Sequence, residues 1–355
     1  MTHKRKLTLL PQRERELELC GYCPKLCRSA CPVSEAEPRE VLIPWGKMSM
    51  QWYAARGELE SSREVSELAY ACSGCLRCQE WCEHRNPVAE TLLEARAVWR
   101  VRGVEPPRAS ITRARFERER EPLRRRTKRL ESTTAASHAL LIGCGYLAPR
   151  GGVARDVHAV VTALLGTPHV LEGCCGLRFR STGDGARAAA ERRALEAELG
   201  ARRLVVADAG CALELATQAE LRPVTLSELG AEQLERFRPY AGAPERVRYH
   251  DPCRLARGLG VIDEPRRVLE RALGRKPEEF VYRERQTRCS GAGGALPFTM
   301  PENARAIAGA RLSEHAELGG GTLVTACAGS RSWFRAQGAE VLDLSTIMAR
   351  SVKSG

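Results

Sequence analysis

The sequence is poor in aromatic residues, which form only 5% of its 355 residues, and it has no long apolar run. A membrane-spanning helix needs about 20 consecutive apolar residues, and no stretch approaches that length. The first ten residues lack the apolar core and cleavage site of a secretory signal, so we expect a cytoplasmic protein. P-loop and flavin fingerprints are also missing, so any flavin or nicotinamide site is expected on another polypeptide.

Cysteine, by contrast, is abundant, with fifteen residues, an odd number. Disulfides do not persist in a reducing cytosol, where thiols remain available to bind metals. The cysteines are therefore expected to be metal ligands rather than a disulfide framework.

The net charge is +12, and part of the excess comes from arginines between residues 100 and 129. A nucleic-acid-binding patch is one interpretation, but only Phe116 interrupts these charges as an aromatic residue and no recognition motif accompanies them. A solvated basic helical linker that docks on an acidic subunit or an anionic membrane surface is favoured, and no nucleic acid is expected.

Eight cysteines form two groups with the spacing that wraps [4Fe–4S] cubes. The groups are Cys20, Cys23, Cys27 and Cys31, and Cys72, Cys75, Cys78 and Cys82. In such motifs the fourth cysteine of each run binds the other cluster. One cluster is thus predicted on Cys20, Cys23, Cys27 and Cys82, and the other on Cys72, Cys75, Cys78 and Cys31. A zinc ribbon uses two cysteine pairs instead of two quartets.

Helical spacing of apolar residues marks the segments around these quartets, at 47–57, from Ser62 towards Cys72, and at 88–101. The roughly forty residues between the quartets suit an all-helical ferredoxin, and not the compact type built on β-hairpins. The predicted organisation is a helical 2[4Fe–4S] ferredoxin-like domain at 1–100, followed by the basic linker at 101–137.

From residue 138 the pattern changes to short apolar strands alternating with helices, and the order occurs twice. Cysteines follow these strands at similar intervals in both copies, namely Cys144, Cys174, Cys175 and Cys211, then Cys253, Cys289 and Cys327. This duplication predicts two α/β lobes related by a pseudo-twofold axis, at 138–243 and 244–355. Because ligands of open α/β sheets bind at the carboxyl ends of strands, the seven thiols are expected to converge on one site.

The motif Cys174-Cys175-Gly176 resembles the CCG domain of heterodisulfide reductase, and His250-Asp251-Pro252-Cys253 looks like the signature of a second copy. Two ferredoxin quartets followed by two CCG domains is the plan of the D-type subunit of that enzyme. The same plan is found in iron–sulfur subunits of glycolate oxidase and related dehydrogenase systems. The resemblance covers nearly the whole chain.

The resemblance implies an electron-transfer subunit that links a partner flavoprotein dehydrogenase to an acceptor through two cubanes and a third iron–sulfur cluster in the CCG lobes. FAD would sit only on the partner, in a complex that is peripheral on the inner face of a membrane and quinone-linked. The alternatives are the catalytic subunit of a heterodisulfide reductase and a redox-sensing nucleic-acid-binding protein. Catalytic roles would fall to Cys174, Cys175, Cys289 and His250, with a structural role for His250 as the other interpretation.

The sequence departs from the family pattern in the second lobe, where Cys289-Ser290-Gly291 replaces the double cysteine. If Cys211 and Cys327 are equivalent, a closing cysteine is expected at Glu214 and at Ser330, and neither is present. The smaller thiol set predicts one cluster shared between the lobes instead of two non-cubane clusters.

Overall fold

A computed structural model describes residues 7–148, 153–219 and 221–353. The first six residues, part of the segment in which no secretory signal is expected, lie outside the described residues. Two compact units divide the chain. The first comprises Met1–Phe116, Arg178–Arg187 and Arg288–Ala310, and the second comprises Glu117–Leu177, Ala188–Thr287 and Arg311–Gly355. Both units are therefore discontinuous in sequence.

The N-terminal region is helical, as predicted. Its helices are α1 (Glu14–Gly21), α2 (Pro32–Ala36), α3 (Pro44–Ala55), α4 (Arg63–Tyr70), α5 (Arg77–Glu80), α6 (Val88–Val101) and α7 (Pro107–Thr127). The predicted start of α4 is confirmed, because the Ser62 side chain accepts a hydrogen bond from the Val65 amide and caps the helix. In the described part of the chain, no helix is both long and apolar enough to cross a bilayer.

The core of the first unit lies between α1, α3, α4 and α6. Leu17, Met48 and Leu92 are fully buried there. Trp99 is also buried, and its indole N–H donates to Gln51 over 2.6 Å. A polar partner for the indole lets this large side chain pack without an unsatisfied donor.

The first α/β lobe has a four-stranded parallel sheet in the order β2-β1-β3-β4. Its elements are β1 (His138–Leu141), α8 (Cys144–Leu147), α9 (Val153–Leu165), β2 (His169–Val170), α10 (Leu177–Ser181), α11 (Gly185–Leu199), β3 (Arg203–Val206), α12 (Ala209–Gln218), β4 (Val224–Thr225) and α13 (Leu226–Glu232). Most of α10 belongs to the first compact unit.

The second lobe has a three-stranded parallel sheet in the order β5-β6-β7. Its elements are β5 (Val247–Tyr249), α14 (Asp263–Leu273), α15 (Leu296–Thr299), α16 (Pro301–Glu317), β6 (Thr322–Thr325), α17 (Ala328–Ala336), β7 (Val341–Asp343) and α18 (Leu344–Ser351). A π-helical turn, Arg254–Leu259, follows Cys253. A single bridge between Arg248 and Glu278 stands where the first lobe has β2.

The lobes are related by a pseudo-twofold axis. Helix α9 packs on α18 and α13 packs on α14, while α12 packs on the π-helical turn and α17 packs on α8. Exchanging the lobes converts each contact into its counterpart, as expected for a self-complementary interface. One apolar core contains Val205 of β3 and Val324 of β6, so both lobes share it.

The positions that correspond between the two lobes differ from those predicted by counting the intervals between cysteines. Asp208 caps α12 immediately after β3, and Cys327 occupies the same capping position before α17. Cys211 and Ser330 each lie three residues further on. Cys327 is therefore the counterpart of Asp208, and Ser330 is the counterpart of Cys211. The equivalence predicted from cysteine intervals, which placed a closing position at Glu214, is wrong.

Candidate iron–sulfur centres

The first group of thiols lines one cavity in the helical unit. Its cysteines are Cys20, Cys23, Cys27 and Cys82, and Cys78 also lines the cavity. Helix α1 carries Cys20, and the Asn86 side-chain amide donates to its Sγ over 3.1 Å. Burial raises the pKa of the Cys20 thiol to about 12, with the neighbouring thiols adding to the shift. These thiols would therefore have to lose protons to hold an iron–sulfur cluster.

The second group lines a separate cavity with the side chain of Lys47. Its cysteines are Cys31, Cys72, Cys75 and Cys78. Lys47 is 1% exposed, and its Nζ donates to Cys31 Sγ over 3.2 Å. Burial alone lowers the pKa of Lys47, but the charges of Cys31 and Cys72 outweigh it and the pKa is raised. Each cavity is lined by the four cysteines that the crossing rule assigns to one cluster, and Cys78 lines both cavities.

A third group of four thiols lies at the strand ends of the first lobe. Cys144 and Cys174 have sulfurs 3.8 Å apart, and Cys175 and Cys211 have sulfurs 3.2 Å apart. Gly176 turns the chain after the cysteine pair with φ +83°, and a Cβ there would lie 2.5 Å from a backbone oxygen of α11. Only glycine fits at that position.

Arg120, from the part of α7 in the second unit, lines the same cavity as these four thiols. Its guanidinium donates to the Glu191 carboxylate over 3.1 Å and to the Glu172 carbonyl over 3.0 Å. Burial lowers the pKa of Arg120, but the charges of Cys174 and Glu191 outweigh it, so the pKa is raised. The basic segment was predicted to be a solvated linker. One of its arginines, Arg120, instead lines the thiol cavity, where hydrogen bonds fix its guanidinium.

Cys253 and Cys327 belong to the second lobe. Burial raises the pKa of Cys327 to about 12, and the charges of the Asp208 carboxylate and of Cys253 add to the shift. Asp208 accepts hydrogen bonds from Gly210 N over 2.9 Å and, across the lobes, from Ala328 N over 3.0 Å. Sequence reasoning missed Asp208, because its role depends on the equivalence with Cys327.

Cys289 belongs to the first compact unit, unlike the other six CCG-lobe cysteines. Its Sγ lies 3.4 Å from the Ser73 hydroxyl, one residue after Cys72 of the second ferredoxin group. The backbone at Gly294 approaches the Cys72 carbonyl so closely that a Cβ would overlap it. A cysteine of the second CCG motif is therefore packed against the loop that carries Cys72 of the second ferredoxin group.

Arg96 links three segments of the first unit through hydrogen bonds to their backbone carbonyls. Its side chain is 1% exposed. The guanidinium donates to the carbonyls of Ala69, Cys72, Ser181 and Gly294 over 2.9, 2.8, 2.7 and 2.8 Å. Arg96 thus joins the second ferredoxin loop to both segments that follow the CCG motifs. The sequence gives no local signal for this role.

His250, a predicted catalytic residue, is 1% exposed and packed between the rings of Phe280 and Phe334. Its Nδ1 accepts a hydrogen bond from Arg311 Nε over 3.3 Å. Burial and then the Arg311 charge hold the pKa of His250 well below its usual range. These surroundings are typical of a neutral packing residue.

The donor sets fit multi-atom clusters better than single ions. Within residues 7–148, 153–219 and 221–353, no group of three His, Cys, Asp or Glu side chains is arranged for one metal ion. The ferredoxin thiols instead surround cavities, as a cube bound at its corners requires.

Comparison with protein families identifies three domains that contain these cysteines. Residues 16–86 match the 4Fe-4S dicluster domain, and residues 138–216 and 247–335 each match the cysteine-rich domain termed CCG. The two CCG matches contain the seven cysteines outside the ferredoxin groups.

Two archaeal proteins are similar to most of the chain. The B-type subunit of fumarate reductase (CoM/CoB) from Methanothermobacter marburgensis is 29% identical over 89% of this chain and 67% of its own length. The D-type subunit of dihydromethanophenazine:CoB–CoM heterodisulfide reductase from Methanosarcina barkeri is 26% identical over 88% of this chain and 87% of its own. The chain therefore belongs to the iron–sulfur oxidoreductase subunits that join a 4Fe-4S dicluster domain to two CCG domains, and it is a distant homologue of the D-type heterodisulfide reductase subunits.

Proposed function

We propose that the chain transfers electrons between a partner flavoprotein dehydrogenase and an acceptor, through two [4Fe–4S] clusters and one cluster in the CCG lobes. The proposal is supported by three cavities, two lined by the ferredoxin cysteines and a third lined by Cys144, Cys174, Cys175 and Cys211. Bound clusters would supply one-electron chemistry at each site. FAD would reside on the partner.

In this proposal Cys144, Cys174, Cys175 and Cys211 hold the third cluster. The two short sulfur–sulfur distances support this assignment, as does the burial of Cys174, Cys175 and Cys211. Arg120 would offset part of the negative charge at the site. His250 would support the second lobe by packing, since it is buried and accepts a hydrogen bond through Nδ1.

The alternative is a heterodisulfide reductase catalytic subunit. The complete cysteine pair of the first lobe, at Cys174 and Cys175, favours it. The two candidates differ in what the isolated chain does. A catalytic subunit reduces a disulfide substrate when supplied with a low-potential one-electron donor, whereas an electron-transfer subunit requires the partner flavoprotein. In either case we propose a cytoplasmic protein that docks on the inner face of the membrane through its complex.

The cluster assignment is tested by iron and acid-labile sulfide on anaerobically purified protein. We expect about twelve of each per chain for three four-iron clusters. The C175A variant is expected to retain about eight, whereas S290A, at the counterpart position in the second lobe, retains about twelve. A C175A variant with unchanged iron would contradict the assignment. Zinc without sulfide in the wild type would refute the proposed function as a whole.

A further inference from the structure

The two ferredoxin sites differ in the charge of the side chain that hydrogen-bonds a ligand sulfur. At the first site the donor is neutral, the Asn86 amide 3.1 Å from Cys20 Sγ. At the second site it is the Lys47 ammonium, 3.2 Å from Cys31 Sγ. Lys47 is 1% exposed, so water screens this charge very little.

A second buried cation acts at the same site. The Arg96 guanidinium donates to the Cys72 carbonyl over 2.8 Å. Burial raises the pKa of the Cys72 thiol, and the Arg96 charge acts to lower that pKa by favouring the thiolate form. Lys47 and Arg96 therefore approach the Cys31–Cys72 group from α3 and from α6. Both cations come from the same compact unit as the thiols.

Lys25 is a cation near the first site, because its Nζ lies 4.0 Å over the ring of Trp45, which lines that cavity. Its side chain is 36% exposed, and it is paired with the Glu40 carboxylate over 3.1 Å. Solvent and the carboxylate both weaken its field at the thiols. The charge asymmetry between the two sites therefore persists.

A cluster held by four thiolates carries net negative charge, and reduction adds one more negative charge. A buried cation attracts the reduced state more strongly than the oxidised state, which raises the reduction potential. A neutral amide exerts only a dipole field and has a smaller effect. The field of Lys47 and Arg96 therefore favours the electron at the second site.

We propose that the cluster on Cys31, Cys72, Cys75 and Cys78 has the higher reduction potential of the two ferredoxin clusters, and that Lys47 sets this order. The inference rests on the proposed function and adds a direction to it. An electron that enters at the Cys20 group moves to the Cys72 group. It then resides beside the loop that contacts Cys289.

The test is an anaerobic redox titration of the holoprotein followed by electron paramagnetic resonance. In the wild type the first electron is expected on the cluster whose signal the C75S variant lacks. The K47M variant removes the charge and keeps an apolar side chain of similar length. We expect the electron occupancy of its second-site cluster to fall at least tenfold relative to the first-site cluster. This corresponds to a reduction potential lowered by at least about 59 mV for a one-electron couple.

Two controls separate charge from packing. K47R keeps the cation and is expected to retain the wild-type order, and K25M removes the screened cation and is expected to shift neither potential by a comparable amount. An unchanged second-site potential in K47M with full iron would overturn the proposal. If K47M loses iron, the proposal is tested by the order in which the two clusters are reduced in the wild type. Reduction of the first-site cluster before the second-site cluster would overturn it. Iron content, not this order, tests the proposed function.

Discussion

Replacing Arg96 with methionine is expected to release the two segments that follow the CCG motifs. The change removes four hydrogen bonds of 2.7–2.9 Å from a side chain that is 1% exposed. A hydrogen bond to a charged group contributes about 1.5–3 kcal/mol. If two of the four carbonyls find new partners, the other two cost about 2 kcal/mol each, or about 4 kcal/mol together.

This loss is expected as local opening, because two of the four carbonyls, Ser181 and Gly294, lie in the segments 178–187 and 288–310. Each 1.4 kcal/mol is a factor of about ten, so the open population should rise by nearly a thousandfold. Limited proteolysis of the anaerobic holoprotein, with cleavage sites mapped by mass spectrometry, measures this population when reclosing is faster than cleavage.

The matched control is R102M, at the end of the same helix. Arg102 is exposed and donates to Ser61 over 3.2 Å. Its loss should change the free energy of opening by less than about 0.5 kcal/mol. Equal cleavage rates in R96M and R102M would refute the reasoning. Cleavage that rises uniformly along the chain would show global unfolding and contradict the local role of Arg96.

Three further changes test the thiol sites. G176A should lower the melting temperature and the iron content, because left-handed strain adds to overlap with α11, whereas G166A, at φ +86° in open space, should cost only about 1 kcal/mol. C75S should lose about four irons while circular dichroism of the α/β lobes stays unchanged, and full iron content would remove Cys75 from the ligand set. R120Q should lower the reduction potential of the CCG-lobe cluster relative to wild type, and an unchanged potential would mean that the Glu191 carboxylate already neutralises Arg120.

Elements fixed by local periodicity could be predicted from the sequence. Helix α6 has the predicted bounds, because its apolar residues lie at helical spacing after Pro87. Strands β5 and β6 are short buried runs that lead to cysteines, and both were predictable. The spacing of the eight ferredoxin cysteines predicts two groups of four, and each cavity is lined by one group, with Cys78 lining both cavities.

Residues whose role depends on distant partners could not be predicted. Lys47 occupies a helix interior and resembles an ordinary surface lysine until α3 is placed against Cys31. Arg120 lies among many arginines, and its neighbours do not distinguish it. Asp208 was missed because counting intervals between cysteines assumes that equivalent positions hold the same residue. The structural equivalence is between capping positions, and one lobe fills its position with a carboxylate.

The difference between Asp208 in the first lobe and Cys327 at the equivalent position of the second lobe is one of several that distinguish the duplicated lobes. The first lobe keeps four thiols close together and uses Asp208 to cap its own α12 while bonding Ala328 N of the other lobe. The second lobe has serine at positions 290 and 330, and its Cys289 lies in the first unit beside Ser73. A lobe with three thiols cannot supply the full set that the first lobe has. We infer that the first lobe holds the cluster, whereas the second lobe contributes to the shared core and carries Cys289 to the ferredoxin loop.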